Sequence, residues 1–110
     1  MKKKISKIIK SKSKKKLVCL TAYSKPISKI LDHYCDIVLV GDSVATALYG
    51  MENTKSISMQ TMINHAISVK KSIKKSLLVF DMPYKTYKNT KEALDNAKKI
   101  IQTIKCDAVK

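Results

Sequence analysis

The segment IVLVGDS, at residues 37–43, places four consecutive apolar residues before a glycine, a carboxylate and a hydroxyl. A short apolar run bounded by turn residues is typical of a strand that is buried on both faces of a parallel sheet. Residues 37–40 are therefore predicted to form a strand. Gly41, Asp42 and Ser43 then lie directly beyond its carboxyl end.

Strand and helix patterns alternate on both sides of this segment. Helices are predicted where apolar residues recur at helical spacing and follow a capping residue such as Ser58 or Asn89. The stretch 41–57 is predicted to be a loop. Strands are predicted at residues 17–21, 37–40, 77–80 and 108–110, and helices at 1–11, 24–34, 58–75 and after 89.

The apolar stripes of these helices indicate which faces should be buried. They comprise Ile5, Ile8 and Ile9 in the first helix, Ile27, Ile30, Leu31 and Tyr34 in the second, Met59, Met62, Ile63, Ala66 and Ile73 in the third, and Ala93, Ala97, Ile100, Ile101 and Ile104 in the fourth.

The alternation of strands and helices predicts an α/β fold with a parallel sheet. A complete (β/α)₈ barrel of the TIM type needs about 250 residues. The 110 residues are therefore expected to form one incomplete domain, the first half of such a barrel, preceded by a short N-terminal helix. A small open sheet with an unpaired edge is the alternative.

Composition limits the class of protein. The three cysteines, Cys19, Cys35 and Cys106, are widely spaced, so we expect buried core residues in a reducing cytoplasm rather than disulfides or a zinc site. No apolar run approaches the roughly 18 residues of a membrane span. The formal net charge is +15, but all 23 basic residues are lysine and only 5% of residues are aromatic. Non-specific binding of nucleic acid by the run from Lys2 to Lys16 is therefore the only polyanion role that we expect.

Two carboxylates follow neighbouring predicted strands. Asp42 comes after the second strand and Asp81 directly after the third. In parallel α/β folds, reactive groups collect at the carboxyl ends of the strands, and paired carboxylates suit Mg²⁺. The alternative is that each aspartate only caps the segment after its strand, and the pattern alone leaves both readings open.

Other residues are candidates through their position near these aspartates. Ser43 is placed to offer a hydroxyl and an amide to an anionic substrate, and Lys110 would bring a cation to the same rim. Tyr84 and Tyr87 are expected to pack in the loop after Asp81 or to shape a pocket mouth. His33 and His65 are expected to be structural or exposed; the sequence contains neither a nucleotide-binding glycine motif nor a catalytic triad.

The sequence resembles the ketopantoate hydroxymethyltransferase family over residues 5–110. The resemblance is carried by LTAY at 20–23, VLVGDS at 38–43, DMPY at 81–84, EAL at 92–94, NA at 96–97 and DAVK at 107–110. It implies a (β/α)₈ barrel that transfers a hydroxymethyl group from 5,10-methylenetetrahydrofolate to the 2-oxo acid 3-methyl-2-oxobutanoate, giving 2-dehydropantoate.

The resemblance also implies roles for individual residues. Asp42 and Asp81 would bind Mg²⁺, which would act as a Lewis acid on the 2-oxo acid, while Ser43 and Lys110 would contact the same substrate. The family's further metal-associated glutamate and its general base would fall beyond residue 110. We therefore expect the isolated chain to be inactive and poorly soluble, and the full-length protein to be a homo-oligomer.

Three other interpretations of the function are compatible with the sequence. One is a different Mg²⁺-dependent barrel that acts on 2-oxo acids as a lyase. Another is a lysine-rich, non-catalytic polyanion-binding protein. The last is a truncated remnant of the transferase.

Overall fold

Four short strands pair in the order in which they occur along the chain. The computed structural model describes residues 1–110. Its elements are α1 (Lys2–Lys10), β1 (Cys19–Thr21), α2 (Lys25–Leu31), β2 (Ile37–Val40), α3 (Val44–Ala47), α4 (Met59–Lys70), β3 (Leu77–Phe80), α5 (Thr90–Ile104) and β4 (Ala108–Val109).

The sheet has the order β1-β2-β3-β4, and all three neighbouring pairs are parallel. Leu39 pairs with Thr21 on one side and with Val79 on the other, and Phe80 pairs with Val40 and Val109. The predicted parallel α/β fold is confirmed. Since all four strands run in the same direction, their carboxyl ends lie along one edge of the sheet.

The core lies between one face of the sheet and the helices α4 and α5. Alternate strand residues supply it, because successive side chains of a strand point to opposite faces. The predicted inner faces of α4 and α5 are confirmed, with Met59, Ala93, Ala97 and Ile101 half-buried at the margin. The fully buried core residues include Val38, Val40, Leu78, Phe80, Met62, Ala66, Val69 and Ile100.

The predicted apolar face of α2 is confirmed only for Leu31, which is half-buried against the core; Tyr34, beyond the helix, is exposed. Ile27 and Ile30 are more than half exposed, whereas Ser28 is fully buried. The Ser28 hydroxyl lies 2.6 Å from that of Ser72, which follows α4. Small side chains that satisfy each other's hydrogen bonds let α2 approach α4 closely, so serine takes the inner position and the isoleucines face outwards.

Other corrections concern the outer strand and two segment boundaries. Cys19 was expected in the core but is exposed, because β1 is an edge strand whose three residues are all exposed. Cys35 and Cys106 are buried as predicted. The predicted loop contains the short helix α3, whose Val44 and Ala45 are buried, and α4 ends at Lys70 instead of continuing to residue 75.

The helix α1 lies against the amino ends of β3 and β4. The Lys4 ammonium donates a hydrogen bond of 2.9 Å to the carbonyl of Ser76 and lies 3.5 Å from a carboxylate oxygen of Asp107. Of the predicted apolar stripe, Ile5 and Ile8 are half-buried but Ile9 is exposed. No helix of the chain combines the length and the apolar character that crossing a bilayer requires.

Asp32 fixes the turn that leads from α4 into β3. Its carboxylate is 5% exposed and accepts hydrogen bonds from the backbone N–H groups of Lys74, Lys75 and Ser76 at 2.8–3.1 Å. Burial pushes the pKa of Asp32 up, but these N–H donors outweigh it and leave the pKa below its ordinary value. The carboxylate is thus held charged because the turn supplies donors to it.

We predict that Asp32→Asn lowers the free energy of unfolding by about 1–3 kcal/mol, because the amide group cannot accept all of these bonds. Urea unfolding measures the loss, with Asp95→Asn on the exposed side of α5 as the matched control. Because the pKa of Asp32 is lowered on folding, its carboxylate stabilises the folded state at pH values above about 3.9, the pKa of an aspartate in the unfolded chain. This contribution is lost as the pH falls through the lower pKa of the folded protein. Equal unfolding midpoints for the two variants would contradict this role.

Candidate active site

Backbone hydrogen bonds continue the sheet one step beyond its strands and bring the candidate residues side by side. The N–H of Asp81 donates to the carbonyl of Val40 at 3.0 Å, and the N–H of Lys110 donates to the carbonyl of Phe80 at 2.9 Å. Gly41, Asp81 and Lys110 therefore occupy neighbouring positions at the carboxyl edge. Asp42 follows Gly41 by one residue, and its convergence with Asp81 stays a prediction.

Asp81 and Lys110 form an ion pair at this edge. The Lys110 ammonium lies 3.0 Å from both carboxylate oxygens of Asp81. The carboxylate is buried, while the lysine side chain is two-thirds exposed. The hydrogen bond to Asp81 raises the pKa of Lys110 above its ordinary value, with smaller contributions from the charges of Asp81 and Asp42. Lys110 is thus held as a cation at the rim.

Asp42 is the second carboxylate of the edge. It is half-buried beyond β2, and its charge reaches Lys110 strongly enough to contribute to that raised pKa. No group of three or more His, Cys, Asp or Glu side chains is clustered anywhere in the chain. A metal at this edge would therefore have at most two carboxylate ligands from these residues, and Mg²⁺ commonly binds with one or two.

Ser43 is held by a residue of the neighbouring strand end. Its hydroxyl oxygen lies 2.6 Å from that of Tyr23, two residues beyond β1, and does not cap α3. A Cβ atom at Gly41 would come within 3.2 Å of the Ser43 hydroxyl oxygen. Glycine therefore leaves the space in which Ser43 and Tyr23 meet.

The hydroxyl pair has one proton to spare. Two hydroxyls carry two protons, and their mutual hydrogen bond uses one of them. Whichever of Tyr23 and Ser43 donates to the other, the second hydroxyl can still donate to an anionic oxygen above the strand ends. The pair is thus a hydrogen-bond donor directed by the register of β1 and β2.

His65 supports Tyr23 from α4. One ring nitrogen, Nδ1, lies 2.8 Å from the carbonyl oxygen of Tyr23, and the other, Nε2, lies 2.8 Å from the hydroxyl of Tyr49. Because a carbonyl only accepts, Nδ1 carries the proton that it donates to Tyr23. The structural role expected for His65 is confirmed. The position of Tyr23 beside Ser43 was missed, although Tyr23 follows β1 much as Asp42 follows β2.

The remaining candidates, Tyr84 and Tyr87, lie in the segment between β3 and α5. Tyr84 and Tyr87 are about half exposed and line a shallow groove with Lys85 and Lys88. The ring of Tyr84 also lies below the Lys85 ammonium, 5.6 Å from ring centre to nitrogen. Tyr84 is thus packed within the loop, whereas Tyr87 is among the groups that act on Lys110. The largest surface groove is lined by lysines and serines and includes neither aspartate.

We predict that Asp81→Asn lowers the pKa of Lys110 toward its ordinary value, because the variant removes the anion that accepts both hydrogen bonds. Asp42→Asn should lower this pKa less, since Asp42 acts only through its charge. NMR titration of the Lys110 side chain measures both shifts, with Asp95→Asn as the control. Because the pKa of Lys110 is raised on folding, its ammonium group stabilises the folded state fully at pH values below the pKa of a lysine in the unfolded chain. This contribution is lost as the pH rises through the higher pKa of the folded protein. An unchanged Lys110 pKa in Asp81→Asn would contradict the pairing.

The fold also occurs in a solved structure of another protein. A crystal structure of phosphonopyruvate hydrolase in complex with oxalate and Mg²⁺ superposes with a TM-score of 0.76 at 13% sequence identity. The match covers 99% of this chain and 38% of the other. A likeness at this identity carries information on the fold alone, and it agrees with half of a (β/α)₈ barrel.

Sequence comparisons give a closer relationship. The chain is 56% identical over its whole length to 3-methyl-2-oxobutanoate hydroxymethyltransferase of Pelagibacter ubique, covering 43% of that protein. It is 46% identical over 90% of its length to the enzyme of the same name from Anaplasma marginale, covering 36% of that protein. The chain thus spans less than half the length of these relatives. The family model for ketopantoate hydroxymethyltransferase matches residues 2–110, and the chain belongs to that family.

Proposed function

We propose that residues 1–110 form one incomplete barrel domain that carries the metal- and substrate-binding edge of a hydroxymethyltransferase. The reaction is transfer from 5,10-methylenetetrahydrofolate to 3-methyl-2-oxobutanoate, which yields 2-dehydropantoate. The observation that carries the proposal is that Asp81 and Lys110 align with Gly41, the residue before Asp42, at the carboxyl ends of adjacent parallel strands. In parallel α/β enzymes this edge is where substrates bind.

The two aspartates are the proposed Mg²⁺ ligands. Carboxylate oxygens suit this ion, and the carboxylates of Asp81 and Asp42 already act together on the cationic group of Lys110. Bound there, Mg²⁺ supplies Lewis-acid polarisation of the keto group of the 2-oxo acid. Two protein ligands leave coordination positions for water and for substrate oxygens.

Lys110 and the hydroxyl pair are the proposed contacts to the substrate carboxylate. Lys110 is a cation at the rim, with its side chain two-thirds exposed. The hydroxyl pair of Tyr23 and Ser43 has one proton to donate. An anionic carboxylate between them would accept from an ammonium on one side and a hydroxyl on the other, and such charge-assisted bonds are the strong ones.

The general base of the reaction is proposed to lie outside these residues. Glu52 is exposed in the segment between α3 and α4. Glu92 accepts a hydrogen bond from the backbone N–H of Lys88 at the start of α5. Since neither glutamate joins Asp42 and Asp81 in a cluster of three carboxylates, the role proposed for this chain is to bind and orient the 2-oxo acid.

A chimera tests the proposal. Residues 1–110, joined to the remainder of the Pelagibacter ubique relative, should consume 3-methyl-2-oxobutanoate only when methylenetetrahydrofolate is present. Removing a residue that only hydrogen-bonds to a metal ligand costs about 10–100-fold in metal affinity or activity. Removing a ligand itself should cost more, so Asp42→Asn and Asp81→Asn should each lower kcat/KM by at least about 100-fold. Asp95→Asn is the matched control, and the isolated 110-residue chain should show no turnover.

Tyr23→Phe in the same chimera separates substrate positioning from metal binding. The variant keeps the ring but loses the bond to Ser43, so KM for the 2-oxo acid should rise about tenfold, which corresponds to one hydrogen bond of about 1.4 kcal/mol. Its dependence on Mg²⁺ concentration should stay unchanged. Full activity of Asp42→Asn or Asp81→Asn, or turnover without the folate donor, would contradict the proposal and favour a lyase.

A further inference from the structure

The amino-end side of the sheet carries a continuous basic surface that the proposed reaction does not use. It begins with a wide, shallow groove along α1 and the turn that follows it. The only residues that line this groove are serines and lysines. The lysines are Lys2, Lys3, Lys7, Lys10, Lys14 and Lys15.

Two further grooves extend this surface. The second shares Lys7 and Lys15 with the first and reaches Lys75, before β3. The third shares Lys75 and Asp32 with the second and runs between α2 and the end of α4. It adds four lysines, which are Lys25, Lys29, Lys71 and Lys74. We call the three connected grooves the lysine track.

Little negative charge opposes the lysine track. Twelve lysines line it, against two aspartates. Asp36 forms a salt bridge with Lys15 at 2.8 Å. The carboxylate of Asp32 accepts hydrogen bonds from three backbone N–H groups. Lys4 and Lys15 are the only lysines of the track in salt bridges. Ten ammonium groups of the track are thus without a carboxylate partner.

We propose that the lysine track binds the phosphate backbone of nucleic acid without sequence preference. Its chemistry suits a row of phosphates, because each lysine that contacts a phosphate releases a condensed counterion. Arginine, which reads guanine through paired hydrogen bonds, is absent from the chain. The track holds two aromatic side chains, His33 and Tyr34. Two rings are too few for a row of stacked bases, so duplex DNA fits better than a single strand.

A membrane surface fits the track less well. Basic helices that bind bilayers insert an apolar face among the acyl chains. The grooves along α1 and between α2 and α4 are lined by no hydrophobic residue. The second groove is lined by Ile8, Tyr34, Cys35 and Leu77, of which only Tyr34 is exposed. A single exposed ring among twelve lysines is not the continuous apolar face that inserts into a bilayer.

The test is fluorescence anisotropy of a labelled DNA duplex, titrated with the 110-residue chain between about 50 and 200 mM salt. Four exposed lysines of the α1 groove, Lys3, Lys7, Lys10 and Lys14, are changed to glutamine in one variant. The matched control changes four exposed lysines on and before α5, namely Lys88, Lys91, Lys98 and Lys99. A third variant changes Lys29, Lys71 and Lys74 in the groove between α2 and α4. Circular dichroism checks that each variant is folded.

Each lost phosphate contact reduces the slope of log affinity against log salt by about one. We expect a reduction of about three to four in the α1-groove variant and about two to three in the third variant. The α5 control should keep the slope and affinity of the unchanged chain.

Equal losses in the α1-groove variant and the α5 control would overturn the proposal, since binding would then follow net charge alone. If the third variant kept the salt dependence of the unchanged chain, the groove between α2 and α4 would not contact DNA, and the claim that the three grooves act as one track would be wrong. Binding to phosphatidylserine vesicles that is tighter than binding to DNA and depends on the same lysines would assign the surface to membranes instead. Asp42→Asn should leave DNA binding intact, so the outcome is independent of the proposed enzymatic function.

Discussion

The hydrogen bond from the N–H of Asp81 to the carbonyl of Val40, 3.0 Å long, fixes the geometry on which the proposed site depends. It extends the pairing of β2 and β3 by one residue, so that Asp81 stands beside Gly41. The matching bond from Lys110 to Phe80 does the same on the other side. A shift of one residue in either register would turn the side chains to the opposite face of the sheet.

The parallel order of the strands also separates two kinds of chemistry. The carboxyl edge gathers Asp42, Asp81 and Lys110, with the Tyr23–Ser43 pair beside them, whereas the amino-end side carries the lysine track. Asp32 and Asp107 serve structure on that side, the first in the turn before β3 and the second by accepting a bond from the N–H of Leu78. The carboxylates of Asp32 and Asp107 are therefore engaged within the fold on that side.

Much of this arrangement could be predicted from the sequence. The apolar run at residues 37–40 and the capping residues Ser58 and Asn89 are local signals, and both caps make the expected bonds. The position of Asp42 and Asp81 followed from strand order. Local patterns could not show that Ser28 meets Ser72, because the two residues are 44 positions apart. For the same reason the stripe of Ile27 and Ile30 was assigned to the wrong face of α2.

The hydrogen-bonded pair of Tyr23 and Ser43 also could not be predicted from the sequence. Each residue alone is an ordinary polar residue in a loop, and only the register of β1 against β2 brings the two hydroxyls to 2.6 Å. The exposure of Cys19 has a similar origin, since being an edge strand is a property of the whole sheet. In both cases the missing information was which strand lies beside which.

The most direct test of the central claim is to locate the divalent ion on the chain itself. Mn²⁺, a paramagnetic substitute for Mg²⁺, should broaden the backbone NMR signals of Gly41, Asp42, Asp81 and Lys110 at concentrations that leave Asp32 and Asp107 sharp. Excess Mg²⁺ should restore the signals, and Asp42→Asn should prevent the broadening. Broadening centred on Asp32 or Asp107, or broadening unchanged in Asp42→Asn, would contradict a metal site at the carboxyl edge.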